Sequence, residues 1–130
     1  EYVVIDIENF IKIAGGSLDI ENPKQGSLIN DMFVDVSSSG TVTSYNLSLD
    51  KNNDATLHWE YEYNTSLNLV GKNKKSMYLL DSDKNYIYEV ETKSGKKIKK
   101  TPLLWSGKNV EISNNYFIVQ SVNKLYLISI

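Results

Sequence analysis

The stretch Met77-Tyr78-Leu79-Leu80-Asp81-Ser82-Asp83-Lys84-Asn85-Tyr86-Ile87-Tyr88-Glu89-Val90 decides the fold class. Tyr86, Tyr88 and Val90 alternate with Ile87 and Glu89, so successive side chains fall on opposite faces of an extended chain. The apolar run Met77 to Leu80 precedes it, and Asp83-Lys84-Asn85 between them has the composition of a tight turn. Strand, polar turn and strand make a β-hairpin.

Three other segments have the same shape: YVVIDIENFIKI from Tyr2, MFVDVSSSGTVTSY from Met32 and YFIVQSVNKLYLI from Tyr116. Superposing their second strands aligns Ile11, Val42, Ile87 and Leu125, at separations of 31, 45 and 38 residues. Two further strands fit between successive hairpins. Leu57 to Tyr63, in which Trp59, Tyr61 and Tyr63 alternate with His58, Glu60 and Glu62, is followed by Leu67 to Val70. Lys97 to Trp105 is followed by Val110 to Ile112. Short polar clusters such as Ser38-Ser39-Gly40, Ser94-Gly95, Ser106-Gly107-Lys108 and Asn114-Asn115 separate the strands. No window of a dozen residues carries the i, i+3, i+4, i+7 spacing of a helix. The pattern predicts an all-β fold of antiparallel four-stranded blade-like units recurring about every 40 residues, a partial β-propeller. The approximate units are 1–31, 32–76, 77–115 and an incomplete 116–130. A β-sandwich or a meander barrel is the alternative arrangement of such strands.

The bulk properties narrow the function classes. With 130 residues the chain is one domain's worth, and 41% hydrophobic residues against 23% charged is too apolar for a disordered chain. A net charge of −2 does not commit it to nucleic acid or to an anionic membrane. The absence of cysteine removes disulfides, thiolate metal sites and cysteine nucleophiles without fixing the compartment. No apolar run approaches the roughly 20 residues of a membrane-spanning helix. The chain begins with Glu1, which suggests a processed chain or an excised piece of a longer protein. Three complete or partial units would not close a ring, and edge strands left open favour pairing with another chain.

Ile87-Tyr88-Glu89-Val90-Glu91-Thr92-Lys93-Ser94-Gly95-Lys96-Lys97-Ile98-Lys99 resembles the repeat of quinoprotein-type (PQQ-type) β-propellers. Their blades carry a tyrosine-rich strand, an Asp-x-x-Thr-Gly-Lys turn and a Trp. Glu91 stands for the Asp, Ser94-Gly95-Lys96 for Thr-Gly-Lys, and Lys99 falls at the Trp position. A second match starts at Tyr45, with Leu49-Asp50 closing the strand, a turn that has lost its glycine, and Trp59 one residue late. The likeness covers residues 32 to 130 and hardly touches the first 31. It implies that the blade Trp packs between neighbouring blades and that Gly95 serves the turn, and it leans towards an extracytoplasmic or secretory compartment, which the residues themselves leave unknown.

Chemistry-bearing groups are few. Tyr61 and Tyr63, with Trp59, could form a platform for stacking sugar or peptide rings; packing between blades is the plainer role for such a row. Asp50-Asn52-Asp54 and Asp81-Asp83-Asn85 begin like calcium loops but lack the glycine and the closing glutamate, so no metal is expected. Lys93, Lys96, Lys97, Lys99 and Lys100, and the second group Lys72, Lys74 and Lys75, read as solvated edges that discourage strand pairing. His58 is the sole histidine and no Gly-x-Ser-x-Gly elbow is present. The expected function is therefore a non-catalytic protein-interaction or scaffold module within a larger propeller, with no catalytic residues and no cofactor. Its partner would be another protein or the remainder of the parent chain, with self-association through edge strands. A carbohydrate- or peptide-binding domain using Tyr61 and Tyr63 is the alternative. A quinone-dependent enzyme would need metal-ligating and stacking residues that the sequence does not present.

Overall fold

A computed structural model describes residues 1–20, 23–104, 109–113 and 115–130. The chain is all-β among these residues, and its thirteen strands form four separate antiparallel sheets. The first is a hairpin of β1 (Tyr2–Asp6) and β2 (Ile11–Gly16). The second is a four-stranded meander of β3 (Pro23–Ile29), β4 (Met32–Ser37), β5 (Thr41–Asn46) and β6 (Thr56–Glu62). The third repeats it with β7 (Leu67–Lys72), β8 (Ser76–Asp81), β9 (Tyr86–Glu91) and β10 (Lys97–Pro102). The last has three strands, β11 (Asn109–Ser113), β12 (Tyr116–Gln120) and β13 (Leu125–Ser129). The predicted turns Ser106-Gly107-Lys108, residue Asn114 of the next turn, and Trp105 at the end of the predicted 97–105 strand lie outside the described residues.

The sheets are offset by one strand from the sequence units. Each begins with the strand before a hairpin, so the boundaries at 31/32, 76/77 and 115/116 cut β3, β7 and β11 from the sheets they belong to. β3 itself escapes a pattern-based reading, because Pro-Lys-Gln-Gly-Ser shows no alternation. It holds a proline because it is an edge strand starting at that residue. The first hairpin is likewise out of phase with the other three. β2 leads directly into the first strand of a new sheet, as β6 and β10 do, which matches β1–β2 to β5–β6 and β9–β10 and not to β4–β5.

The sheets stack face to face, with the third in the middle. β8 is buried along its whole length, and its alternation divides it between two cores. Met77 and Leu79 pack with Val34, Val36, Val42, Tyr88 and Val90 against the second sheet. Tyr78 and Leu80 pack with Ile87, Leu103, Val110, Phe117 and Val119 against the fourth. Tyr78 meets Phe117 edge-on at 5.4 Å.

The first strands lie together, β7 against both β3 and β11. Gly71 permits the approach to β11: a Cβ there would sit 2.4 Å from Ile112 Cδ1. Polar side chains tie β3 to β7. Gln25 acts as a spare peptide group, accepting from the Leu69 amide (2.6 Å) and donating to the Leu69 carbonyl (2.9 Å). Lys24 donates to the Leu67 carbonyl (2.8 Å) and Lys72 to that of Leu28 (2.6 Å). These contacts satisfy edge groups that would otherwise be open to strand pairing.

Candidate interaction surfaces

The cross-strand register of the fourth sheet fixes what its two faces present. Phe117 pairs with Ile128 and Val119 with Tyr126, and these face the core. Tyr116, Ile118 and Gln120 pair with Ser129, Leu127 and Leu125, and these point the other way. That outward face exposes Leu125 (70%) and Leu127 (68%), with Asn109, Glu111 and Ser113 of β11 as its polar margin. The opposite end of the stack repeats the arrangement. On β1–β2, Ala14 is fully buried while Val3, Ile5, Ile11 and Ile13 are at least half exposed. Each end of the stack thus carries exposed apolar side chains, Val3 and Ile5 beside Lys12 at one and Leu125 and Leu127 beside Ile118 at the other.

The hairpin at the first end is held by few contacts. Tyr2 donates its hydroxyl to the Asn53 carbonyl (2.7 Å), and the Ser17 amide donates to Asp54 Oδ1 (2.9 Å). The Ala55 amide adds a bond to the Ser17 carbonyl (2.8 Å). The donors from Ser17 hold the Asp54 carboxyl below the usual carboxylate range. Asp54 is thus a docking residue for the hairpin. At the hairpin tip, Asp6 accepts from the amides of Glu8 and Asn9 and from the Asn9 side chain, and its carboxyl is lowered in the same way.

The structure separates the aromatic row. Trp59 is half-buried between the second and third sheets, donating from Nε1 to the Thr92 carbonyl (2.9 Å). Its ring and that of Tyr61 lie over Gly95, where a Cβ would come within 2.5 Å of Tyr61 and 2.7 Å of Trp59. Tyr61 remains 46% exposed, whereas Tyr63 is buried against Tyr88 at 5.6 Å. Burial pushes the Tyr63 hydroxyl up to about 12. The two tyrosines therefore do not share one open surface, and only Tyr61 offers a ring to solvent.

The remaining candidates are architectural. Asp81 is fully buried and accepts from the Lys84 amide (3.0 Å) and Thr65 hydroxyl (3.2 Å), closing the β8–β9 turn. Among the described residues no three acidic or histidine side chains converge as metal ligands. His58 is exposed, with Nε2 2.6 Å from the Lys93 carbonyl and Nδ1 3.4 Å from the Asn46 amide. It staples the β9–β10 turn to β6. The lysine run lies on and beside the edge strand β10, and sequence reasoning missed its aromatic partners. Lys97 sits over Tyr63 (4.4 Å) and Lys100 over Tyr86 (3.6 Å). The register of β9 with β10 sets Lys100 beside Tyr86, whereas Tyr63 reaches Lys97 from the residue after β6, and no linear spacing reveals either. No described helix is long and apolar enough to cross a membrane. Comparison with known proteins adds no relative, for neither a family model nor a curated protein matches the chain.

Proposed function

We propose that this chain is a run of stacked blades from a β-propeller-type scaffold, a non-catalytic interaction module that works by docking further β-sheet on its two ends. One observation carries the reading: the outward faces of the end sheets expose large apolar side chains, Val3 and Ile5 at one end and Leu125 and Leu127 at the other. Burying such a face on another sheet returns roughly 25 cal/mol for each Å² of apolar area removed from water. Two features support a propeller over a sandwich. The first strands lie side by side, and the last strand of one sheet meets the turn before the last strand of the next. Trp59 on Gly95, and Gly16 against Asn53, are two instances of that second contact. The quinoprotein-like motif at Glu91 to Lys96 supplies the same turn.

The occupant of either end is a further stretch of propeller chain or a second protein offering such a sheet. Static light scattering tests the reading directly. Apparent mass should rise with concentration, and Leu125→Lys with Leu127→Lys should suppress the rise. A wild-type chain that stays monomeric at every concentration reached would overturn it. The exposed ring of Tyr61 favours a second reading, a carbohydrate- or peptide-binding face. A glycan and peptide array on which Tyr61→Ala binds no less than wild type would remove it.

A further inference from the structure

The face of the second sheet turned towards the β1–β2 hairpin differs in kind from every other face of the stack. Val34, Val36 and Val42 point into the core, so alternation sends Asp35, Ser37 and Thr43 the opposite way. The register lines up Asp35, Thr43 and Glu60 as direct neighbours across β4, β5 and β6. Glu62 follows on β6, and Asp19 joins from the segment after β2, where its carbonyl accepts from the Tyr45 hydroxyl (2.5 Å). Together they line a cavity of about 320 Å³ whose other described walls are mainly Ser and Thr hydroxyls. It holds four carboxylates, and no lysine or arginine is among its described lining residues.

Asp35 gives the cavity its direction. It is only 3% exposed and lines the cavity, yet no donor among the described residues reaches its carboxylate. Glu60 differs, since it accepts from the Thr43 hydroxyl (3.2 Å). Burial raises the Asp35 carboxyl above its ordinary value, which is the mark of a charge without compensation. Buried carboxylates are normally paired or hydrogen-bonded, and the missing partner here would have to enter from the cavity. The described acids do not converge as a metal shell, so the complement is a larger cation with directed N–H donors.

We propose that this cavity binds an organic cation, a primary ammonium or guanidinium group, whose N–H donors pair with Asp35 and Glu60 while the wall hydroxyls accept the remainder. The ligand is either a free small amine or a lysine or arginine side chain of a peptide. Glu60, Glu62 and Asp19 are all exposed; Glu60 is set apart by the Thr43 hydroxyl that fixes its carboxylate against the wall, while Glu62 and Asp19 add field at the mouth. The site does not depend on the propeller reading, because all its described walls come from residues between Asp19 and Glu62 of this chain.

The test is titration calorimetry on the full chain with 1,4-diaminobutane, agmatine and an acetyl-Gly-Lys-Gly-amide peptide, with 1,4-butanediol and calcium chloride as comparisons. At least one amine should bind and the diol should not. Asp35→Asn should weaken binding by at least about tenfold, as loss of a charge-assisted bond does. Glu60→Gln provides a second variant, and it should weaken binding severalfold while leaving the melting temperature near wild type. Preference for the free amines or for the peptide distinguishes the two sources. Absence of heat with every amine, equal binding by both variants, or tighter binding of calcium than of any amine would each overturn the proposal. If the chain self-associates yet takes up no amine, the scaffold reading stands and this one falls.

Discussion

Gly95 answers two demands at once. Its φ of +70° lies in the left-handed region that glycine enters without penalty, and the rings of Trp59 and Tyr61 occupy the space of its missing side chain. Gly95→Ala should therefore cost roughly 2 kcal/mol, read as a lower urea midpoint with unchanged slope. Half of this was legible in the sequence, since Ser-Gly after a strand announces a turn. The contact with Trp59 was not, because the two residues lie on different sheets and only the stacking brings them together. Asp35 was invisible for the related reason that burial of a single carboxylate depends on what covers the sheet. Its raised pKa has a definite consequence for stability. As pH rises from the ordinary carboxylate value to the raised one, the unfolded chain has lost this proton and the native chain still holds it, so this group makes stability fall with pH. Asp19, Glu60, Glu62 and Tyr45 line the same cavity, and burial is the cause of the Asp35 shift. Asp35→Asn should thus melt above wild type at pH 7, and the difference should vanish below the ordinary carboxylate pKa. Melting curves at the two pH values decide it.

At the scale of elements, the strands that differ most are β8 and the β1–β2 hairpin. β8 carries apolar side chains into two cores, and Leu79→Ala should cost about 2–5 kcal/mol, measured by denaturant titration. The hairpin rests on the Tyr2 hydroxyl, the Asp54 carboxylate and a backbone bond at Ala55. Asp54→Ala should release it without melting the sheets, so that amide exchange quickens over residues 2–16 while β8 keeps its protection. The carboxyl of Asp54 is lowered by its bonds to Ser17, so the docking it gives is present above the ordinary carboxylate pKa and lost as pH falls through the lowered one. Alternation exposed the four hairpins and most of the single strands, which settled the fold class. β3 was missed because its residues serve the neighbouring sheet: Gln25 and Lys24 face β7 as hydrogen-bonding groups, and a strand so used has no apolar stripe. The phase of the first hairpin was hidden too, since Val3 and Ile5 look like core residues until the structure leaves them outside.

The whole molecule is a stack with two unlike ends, and that difference predicts how it associates. One end presents Val3 and Ile5, the other Leu125 and Leu127. If copies join as successive sheets of a propeller join, the contact is heterologous, the β1–β2 end of one copy on the β13 end of the next. Val3→Lys with Ile5→Lys should then block one end, and Leu125→Lys with Leu127→Lys the other. Each variant alone should remain monomeric by light scattering, since every contact needs one end of each kind. Mixed in equal amounts, the two should form dimers and nothing larger, because each retains one competent end. A self-complementary contact between β13 ends gives a different pattern: the Val3/Ile5 variant would dimerise alone and mixing would add nothing. All four substitutions lie on exposed faces, so the fold is expected to survive them, and unchanged melting temperatures would show that only association was altered. Dimers confined to the mixture would mean that the apolar ends are complementary halves of one sheet-on-sheet interface.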